Sequence, residues 1–295
     1  MRVPPSLIAR GPLCAGTLNR QMRLPETITS RTNAKVKALR AAFRGDASRA
    51  GDVVGIEGEN LLREAMRSGL AFDTVYLREG LEALLAELQQ EGLRADEFVV
   101  LSKDVFASAV DTDTPQGVAA TLSIPALQPE YADGVVLVLE DLQDPGNMGT
   151  LIRSAEAFQV MHVVITPGSV NPWNPKAIRA SAGSVFRIPV VRMTLPQIQI
   201  WAKEEGVKLV AAVARAKEAT PAMHARLLAP VALMVGNEGK GLTRVAREMC
   251  DEQVNIPCAV ESLNAATAGT TLMYEAFRQN LLQQFLDMPV VRGLQ

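Results

Sequence analysis

The sequence is short of the residues that most often carry metal or nucleophile chemistry. Its 295 residues include two histidines and three cysteines. His162 and His224 are too few to favour a zinc site, or a catalytic Ser/His or Cys/His pair. Cys14, Cys250 and Cys258 are odd in number and lack metal-type spacing, so we predict no metal and reduced thiols in a cytosolic protein.

Long apolar runs and a strong charge of either sign are also missing. No run reaches about 18 apolar residues, so the sequence predicts no membrane span. The formal net charge is −2, so any nucleic acid must be met by a local basic patch. The composition, 48% hydrophobic and 21% charged, is that of a globular chain with room for two domains.

The predicted organisation is a tail, a small domain, a linker and a larger domain. Residues 1–24 contain three prolines and no acidic residue, which indicates a disordered tail. An organelle-targeting segment or a start at Met22 are the alternatives, because the apolar stretch is too irregular for a signal peptide. Residues 25–122 are predicted to form a small α/β domain. Two prolines mark residues 123–133 as a linker before the domain at 134–295.

The second domain alternates apolar strands with helices. VVLVLEDL, HVVITPG, VKLVAAVA, VALMVGN and VNIP are predicted strands, FRIPVVR is predicted to be extended, and a long helix is predicted from about Asn264 to Leu286. Nearly continuous apolar strands between helices indicate a parallel sheet covered on both faces. Ligands bind at the carboxyl ends of such strands, so the chemistry is expected in the loops that follow them.

Basic residues are concentrated on one predicted helix near the start of the small domain. Arg31, Asn33, Lys37, Arg40 and Arg44 recur at near-helical spacing within a stretch that holds one acid. Such a stripe is either an ordinary solvated helix face or a phosphate contact. The five residues are therefore candidate RNA contacts.

Three loops after strands stand out. In LEDLQDPGNMGTLIRSAEAF, Asn147 is expected to cap the helix and Arg153 lies about two turns into it. GNEGKGL lacks the spacing and final hydroxyl of a nucleotide-binding P-loop, which disfavours a nucleoside triphosphatase. In AVESLNAATAG, Ser262 and Asn264 precede the long helix, where either could serve only as its N-cap.

Taken in order, DPGNMGTLIRSAEAF, MVGNEGKGL and IP…ESLNAATAGTTLMYEAFRQ resemble the three motifs of the SpoU (TrmH-type) RNA ribose 2′-O-methyltransferases. The resemblance covers residues 134–283. TSRTNAKVKALRAAF, GIEGENLLREAMRSG and TDTPQGVAA resemble the small RNA-binding domain that precedes the catalytic domain in many members.

The resemblance implies an α/β domain tied in a deep trefoil knot, which ordinary topology rules do not predict. It implies S-adenosylmethionine as cofactor, with Gly236, Ile256 and Leu263 as its contacts. It also implies a cytoplasmic homodimer in which the partner chain completes the acceptor site.

The resemblance also assigns catalytic roles. Arg153 is expected to hold the phosphate next to the acceptor ribose and to stabilise the developing alkoxide, because arginine stays protonated in proteins. Asn147, Glu238, Ser262 and Asn264 are expected to position Arg153 and the acceptor, with Glu238 as a partner of Arg153.

Two positions depart from the family pattern. Gln159 stands where a glycine is usual after the first helix, and a different helix ending is expected there. The loop from Cys258 to Glu261 is short and lacks an expected glycine, which affects the shape of the cofactor pocket.

The predicted function is methylation of a ribose in ribosomal RNA. A tRNA target, an RNA-binding or ribosome-assembly factor without turnover, and a methyltransferase for a small molecule or protein are the alternatives. The basic stripe argues against the last of these, because it predicts salt-sensitive RNA binding.

Overall fold

A computed structural model describes residues 26–129, 134–214, 216 and 218–287 of the chain. The predicted tail at 1–24 and part of the predicted linker lie outside these residues. The described chain forms two sheets, one from residues 53–123 and one from residues 135–255.

The first sheet is mixed and has four strands. In chain order they are β1 (Val53–Glu57), β2 (Phe72–Arg78), β3 (Ala95–Leu101) and β4 (Val118–Ser123). The spatial order is β1-β4-β2-β3, with β4 antiparallel to both of its neighbours. Its helices are α1 (Ala34–Ala42), α2 (Glu59–Arg67), α3 (Glu82–Gln90) and α4 (Lys103–Ala107).

The second sheet has seven strands in the order β7-β6-β5-β10-β8-β11-β9, and every pairing in it is parallel. The strands are β5 (Val135–Leu139), β6 (His162–Ile165), β7 (Val190–Arg192), β8 (Lys208–Val213), β9 (Thr220–Pro221), β10 (Val231–Val235) and β11 (Glu252–Asn255). Its helices are α5 (Pro145–Ala157), α6 (Pro175–Ser181), α7 (Leu195–Glu204), α8 (Arg244–Glu248) and α9 (Ala265–Leu286).

The second sheet is covered on both faces, as its apolar strands predict. Along β5, Leu137 and Leu139 pack in the core that holds α5, α6 and α9. Val136 and Val138 pack in the core that holds α7 and α8. Because successive side chains of a strand point to opposite faces, every residue of β5 is buried. The predicted parallel α/β fold class is confirmed.

Polar contacts connect the small domain to the second domain. The Arg187 guanidinium lies 3.0 Å from a Glu64 carboxylate oxygen, donates to Ser68 Oγ at 2.9 Å, and pairs with Glu156. The amide of Asn171 donates to the carbonyl of Gly45 at 2.9 Å. The small domain is therefore held directly against α5 and the segments on either side of α6.

Two local predictions were wrong. FRIPVVR is not extended throughout, because Ser184–Phe186 forms a 3₁₀ turn and only Val190–Arg192 pairs as a strand. Gln159 does not change the helix ending. It adopts φ +55° after the C-cap residue Phe158, and the amide of Val160 donates to the carbonyl of Ala155 at 2.9 Å. This is the ending that glycine usually gives.

Candidate active site

The three loops singled out in the sequence leave the carboxyl ends of β5, β10 and β11. Strands β5 and β10 are direct neighbours in parallel register, from Val135 beside Val231 to Leu139 beside Val235. Their following loops, residues 140–144 and 236–243, therefore emerge side by side. The third loop, residues 256–264, leads from β11 into α9.

Glu238 joins the first two loops. Its carboxylate accepts hydrogen bonds from the backbone amides of Gln143 at 3.2 Å and Asp144 at 2.9 Å. The side-chain amide of Asn147 donates to the same carboxylate at 3.1 Å. Within one chain the Glu238 carboxylate accepts from these three donors and forms no ion pair with Arg153, so the expected pairing of Glu238 with Arg153 stays a prediction.

Asn264 brings the third loop to the same point. Its side-chain oxygen caps α9 by accepting from the amides of Ala266 at 2.8 Å and Thr267 at 3.3 Å. Its side-chain nitrogen donates to Asn147 Oδ1 at 3.2 Å. Asn264 is therefore both an N-cap and a link, and we call the chain Asn264–Asn147–Glu238 the polar network.

Asn147 was predicted to cap α5, and that prediction was wrong. The N-cap is Asp144, whose carboxylate accepts from the backbone amide of Asn147 at 2.7 Å, with Pro145 as the first helical residue. The hydrogen bond from Asn147 holds the pKa of the Asp144 carboxyl below its usual range. Because Asp144 supplies the cap, the Asn147 side chain is left for the polar network.

The carboxylate of Glu238 is stabilised in its ionised form. Partial burial alone raises its pKa, but the hydrogen bonds from Asp144 and Asn147 together hold that pKa below its usual range. Glu238 is therefore a charged acceptor at neutral pH, and the amide of Asn147 must turn its nitrogen toward it.

A cavity of about 430 Å³ lies between the loop after β10 and the start of α9. All three expected cofactor contacts, Gly236, Ile256 and Leu263, line it, together with Ser262 and Glu238. Its size falls in the range of about 300–1,000 Å³ that is usual for ligand pockets.

Gly236 is required here for a reason that the sequence did not reveal. A Cβ atom at this position would lie 2.2 Å from the backbone nitrogen of Leu242 and 2.3 Å from the carbonyl carbon of Gly241. The close approach is therefore between the two ends of the GNEGKGL loop. This turn forms one wall of the cavity.

The chemistry of the lining fits S-adenosylmethionine. Val235, Ile256, Leu263 and Leu272 supply apolar surface for an adenine ring, and Glu238 supplies negative charge to a sulfonium-bearing ligand. Cys258 and Glu261 also line the cavity. The short loop from Cys258 to Glu261 is thus part of the wall.

Arg153 is not brought to the polar network. Residues Asn147, Leu151 and Ser154 face α9, since Ser154 Oγ lies 2.8 Å from Thr270 Oγ1 and a Cβ on Gly269 would lie 2.5 Å from Leu151 Cδ2. Six residues after Asn147, a helix has risen about 9 Å and turned about 120° from that face. The Arg153 side chain is accordingly exposed, with no carboxylate of the described residues in ion-pair distance.

Comparison with known proteins identifies the family. The profile of the SpoU rRNA Methylase family matches residues 134–274, and that of the MRM3-like substrate binding domain matches residues 33–120. The Bacillus subtilis (strain 168) protein named 23S rRNA (guanosine(2553)-2′-O)-methyltransferase RlmP is 33% identical over 249 residues, covering 84% of this chain and 97% of the relative. The chain belongs to the SpoU rRNA methylase family.

Other SpoU proteins agree in sequence and fold. The 23S rRNA (uridine(2479)-2′-O)-methyltransferase of Streptomyces viridochromogenes is 29% identical over 269 residues, covering 86% of this chain and 92% of the relative. The SpoU methyltransferase AviRb of that organism, solved in complex with AdoMet, superposes with a TM-score of 0.72 at 27% identity, over 84% of this chain and 98% of that one. The family resemblance drawn from the motifs is confirmed, whereas the knot and the homodimer stay predictions.

The substrate-binding part of this SpoU protein carries most of the expected RNA contacts. Arg31, Lys37 and Arg44 have exposed side chains on or beside α1. Asn33 caps α1 by accepting from the amide of Lys35 at 2.8 Å. Arg40 is half-buried, and its guanidinium donates to the carbonyl and hydroxyl oxygens of Ser108, both at 3.0 Å.

Asn33 and Arg40 thus have structural roles that the helical spacing alone did not reveal. Their side chains are engaged within the small domain. The exposed candidates for phosphate contact are Arg31, Lys37 and Arg44.

The described residues hold neither a metal-type cluster nor a membrane-spanning helix. No group of three or more His, Cys, Asp or Glu side chains there could hold a metal ion. None of the helices described is both long and apolar enough to cross a membrane.

Sequence reasoning missed Gln143, Asp144 and Asn237, which shape the site around Glu238. Asp144 carried a readable signal, because an Asp before a Pro at the first helical position marks an N-cap. Gln143 contributes its backbone amide, for which no sequence signal exists.

Proposed function

We propose that this SpoU protein transfers a methyl group from S-adenosylmethionine to a ribose 2′-hydroxyl of ribosomal RNA. The observation that carries the proposal is the polar network Asn264–Asn147–Glu238 at the edge of a cavity lined by Gly236 and Ile256. Three loops distant in sequence meet there, each carrying one motif of the family.

S-adenosylmethionine, when bound, supplies the methyl carbon, which leaves sulfur without the bonding electron pair. The ribose oxygen gains that carbon and loses its proton to solvent. Gly236, Ile256 and Leu263 would hold the cofactor on the cavity wall. Holding the two reactants in fixed orientation can contribute several kcal/mol, about 7–11 at the upper limit.

Arg153 stabilises charge and does not act as a base. Arginine is always charged in proteins and has no lone pair to accept a proton, so Arg153 holds the phosphate beside the acceptor and stabilises the alkoxide as the proton leaves. Asn147 and Glu238 hold the acceptor ribose by hydrogen bonds. The Ser262 hydroxyl is exposed and lines the cavity, which suits a contact with the same ribose.

The site is completed by a second copy of the chain in a homodimer. What supports this is the orientation of Arg153, whose position on α5 turns it away from the polar network of its own chain. The apolar stripe along α9, formed by Met273, Phe277, Leu281 and Phe285, also supports it. Met273 is buried, whereas Leu281 and Phe285 are 39% and 63% exposed. The second half of the stripe is therefore an exposed apolar surface, of the kind that a second chain can cover.

Large-subunit ribosomal RNA is the favoured target in a cytoplasmic setting. Both relatives named above are 23S rRNA methyltransferases, one for guanosine(2553) and one for uridine(2479). The substrate-binding domain and its exposed Arg31, Lys37 and Arg44 support a structured RNA. A tRNA target is the alternative and would be found by measuring methyl transfer to unmodified tRNA beside large-subunit RNA.

A factor that binds RNA without turnover is the second candidate function. The intact polar network argues against it. Calorimetry with S-adenosylmethionine distinguishes the two, because a pure binder has no need of the cofactor. Absence of binding at millimolar cofactor would favour the second candidate.

The experiment for the proposed function is methyl transfer to unmodified large-subunit RNA by wild type and by Arg153→Lys. We expect wild type to transfer methyl groups and the variant to lose on the order of 10²-fold or more, because lysine keeps the charge but lacks the planar fork. Arg192→Lys is the matched control, since Arg192 is also exposed but lies on the edge strand β7. Near-normal turnover by Arg153→Lys would contradict the assigned role.

A further inference from the structure

The loops after β5 and β10 are tied together at three consecutive points. The first tie is the buried carboxylate of Glu140, which accepts from the backbone amide of Thr243 at 2.8 Å and from its hydroxyl at 2.7 Å. The second is the side-chain nitrogen of Asn237, which donates to the carbonyl of Asp141 at 2.9 Å. The third is Glu238 on the amides of the first loop. The reaction proposed above uses only the third.

Asn237 uses both ends of its amide. Its oxygen accepts from the backbone amides of Gly239 at 2.9 Å and Lys240 at 3.0 Å, which folds the GNEGKGL turn. The carbonyl of Asn237 also accepts from the amide of Gly241 at 2.9 Å. The Asn237 side chain therefore stabilises its own turn and is hydrogen-bonded to the neighbouring loop.

Asp141, whose carbonyl accepts the hydrogen bond from Asn237, has an unusual backbone conformation. Asp141 has φ +52°, in the left-handed region that non-glycine residues seldom occupy. Its carbonyl accepts from Asn237 and, at 3.0 Å, from the side-chain nitrogen of Gln143. Gln143 in turn donates to the carboxylate of Asp141 at 2.9 Å. Such a conformation persists only where surrounding contacts determine it.

We propose that Asn237 is a positioning residue for methyl transfer, fixing the loop after β10 against Asp141 so that Glu238 meets Asn147. This inference rests on the proposed function. Glu238 is the next residue in the chain and is itself exposed, so its neighbours determine where its carboxylate lies. A displacement of about 1 Å at a reacting site can cost on the order of 10²-fold in rate.

Asn237→Asp distinguishes the two roles of the side-chain amide, which are to accept from the turn and to donate to Asp141. The variant keeps an oxygen for the amides of Gly239 and Lys240, so the turn is retained. It replaces the donor by an ionised oxygen that is repelled by the carbonyl of Asp141, so the hydrogen bond between the two loops is lost. Asn237→Ala removes both contacts.

The new carboxyl would sit among charges that favour its protonated form. Acids predominate in the loops around it and on the cavity wall, with two cations nearby: Glu140, Asp141, Asp144, Glu238, Lys240, Arg247 and Glu261. The amides of Gly239 and Lys240 donate to one oxygen of this carboxyl and favour its ionised form, whereas the like charges and the Asp141 carbonyl, which faces the other oxygen, raise its pKa above the ordinary value of about 3.9. Once protonated, the group donates a hydrogen bond to Asp141 again. Low pH should therefore rescue Asn237→Asp and leave Asn237→Ala unrescued.

The test measures single-turnover methyl transfer by the full chain across pH, with saturating S-adenosylmethionine and RNA. We expect Asn237→Asp to lose on the order of 10²-fold near pH 8, and its rate relative to wild type to rise about tenfold by about pH 6. The relative rate of Asn237→Ala should stay flat.

Asn280→Asp is the matched control. Asn280 accepts from the amide of Ala229 at 3.0 Å and donates to the carbonyls of Leu227 at 3.2 Å and Ala276 at 2.8 Å, away from the three loops. It undergoes the same chemical change with a similar loss of backbone contacts. Its relative rate should not vary with pH.

Amide hydrogen exchange tests the same inference without turnover. The amides of Gln143 and Asp144 donate to Glu238, so they should exchange faster in Asn237→Asp than in wild type or Asn280→Asp. Unchanged exchange, or a pH-independent relative rate in Asn237→Asp, would overturn the positioning role. An inactive wild type with the expected exchange pattern would instead count against the proposed methyl transfer alone.

Discussion

Replacing Gly236 by alanine should damage the site through steric overlap alone. The added Cβ would lie 2.2 Å from the nitrogen of Leu242, and 2.3 Å and 2.6 Å from the carbonyl carbon and oxygen of Gly241. Non-bonded heavy atoms sit about 3.5–4.0 Å apart. All three atoms belong to the backbone, so no side-chain rotation can relieve the overlap. The two ends of the turn must separate by more than about 1 Å.

The magnitude follows from that separation. Overpacking of this kind costs typically about 1–3 kcal/mol of folding stability. The same displacement moves Glu238 relative to Asn147, so methyl transfer should fall on the order of 10²-fold. Denaturant unfolding measures the first effect, and single-turnover methyl transfer measures the second.

Gly239→Ala is the matched stability control in the same turn. A Cβ on Gly239 would have one neighbour, Asn237 Oδ1 at 3.7 Å, which is an ordinary contact. Both substitutions restrict the unfolded chain equally, so their difference isolates the overlap. We expect the stability of Gly239→Ala to stay within about 0.5 kcal/mol of wild type. Equal stability and equal methyl-transfer rates of the two variants would refute the close-approach argument.

Three further predictions concern Gln159, the Glu156–Arg187 pair and the dimer. Gln159→Gly should raise stability in urea by about 0.5–1 kcal/mol, because glycine adopts the left-handed φ without strain; no gain would argue against strain there. Hydrogen bonding from Arg187 lowers the pKa of Glu156 in the folded protein. The pair therefore stabilises the fold at pH values above the ordinary pKa of glutamate, and this stabilisation is lost as the pH falls through the lowered, folded-state pKa. Arg187→Met should therefore flatten the loss of stability below about pH 4.5, and an unchanged curve would assign the acid loss elsewhere. Co-expressed Arg153→Ala and Glu238→Ala chains should recover methyl transfer that neither has alone, whereas no recovery would place Arg153 at the site of its own chain.

The catalytic sheet could be predicted because its strands carry their own signal. Runs such as VVLVL and VALMV are buried on both faces, so their composition alone fixes both the strand and the parallel sheet. Strand β4 was not predicted. It lies between β1 and β2 and is antiparallel to both. The local sequence TPQGVAA does not indicate which distant strands it pairs with.

The site was predictable to the level of loops but not of contacts. The rule that ligands bind at the carboxyl ends of parallel strands located all three loops. It did not reveal that Glu238 takes backbone donors, since these depend on the neighbouring strand. Nor did it give the direction of Arg153, which is set by the packing of Leu151 against Gly269 between α5 and α9.

The same limit applies to the basic helix. Charge and spacing made Arg40 and Lys37 equivalent candidates in the sequence. Ser108, which lies 68 residues after Arg40, binds the guanidinium of Arg40 and leaves Lys37 exposed. A local pattern can place a residue on a helix face, but the tertiary neighbours decide whether that face is free.

The most direct test of the central claim is to map the product of methyl transfer on unmodified large-subunit RNA. A 2′-O-methyl group blocks alkaline cleavage of the adjoining phosphodiester, whereas a base methyl group does not. We predict one or a few alkali-resistant positions that require S-adenosylmethionine and vanish with Asn147→Ala. Methyl groups found only on bases, or none with intact cofactor binding, would contradict the assignment of ribose 2′-hydroxyl chemistry to this site.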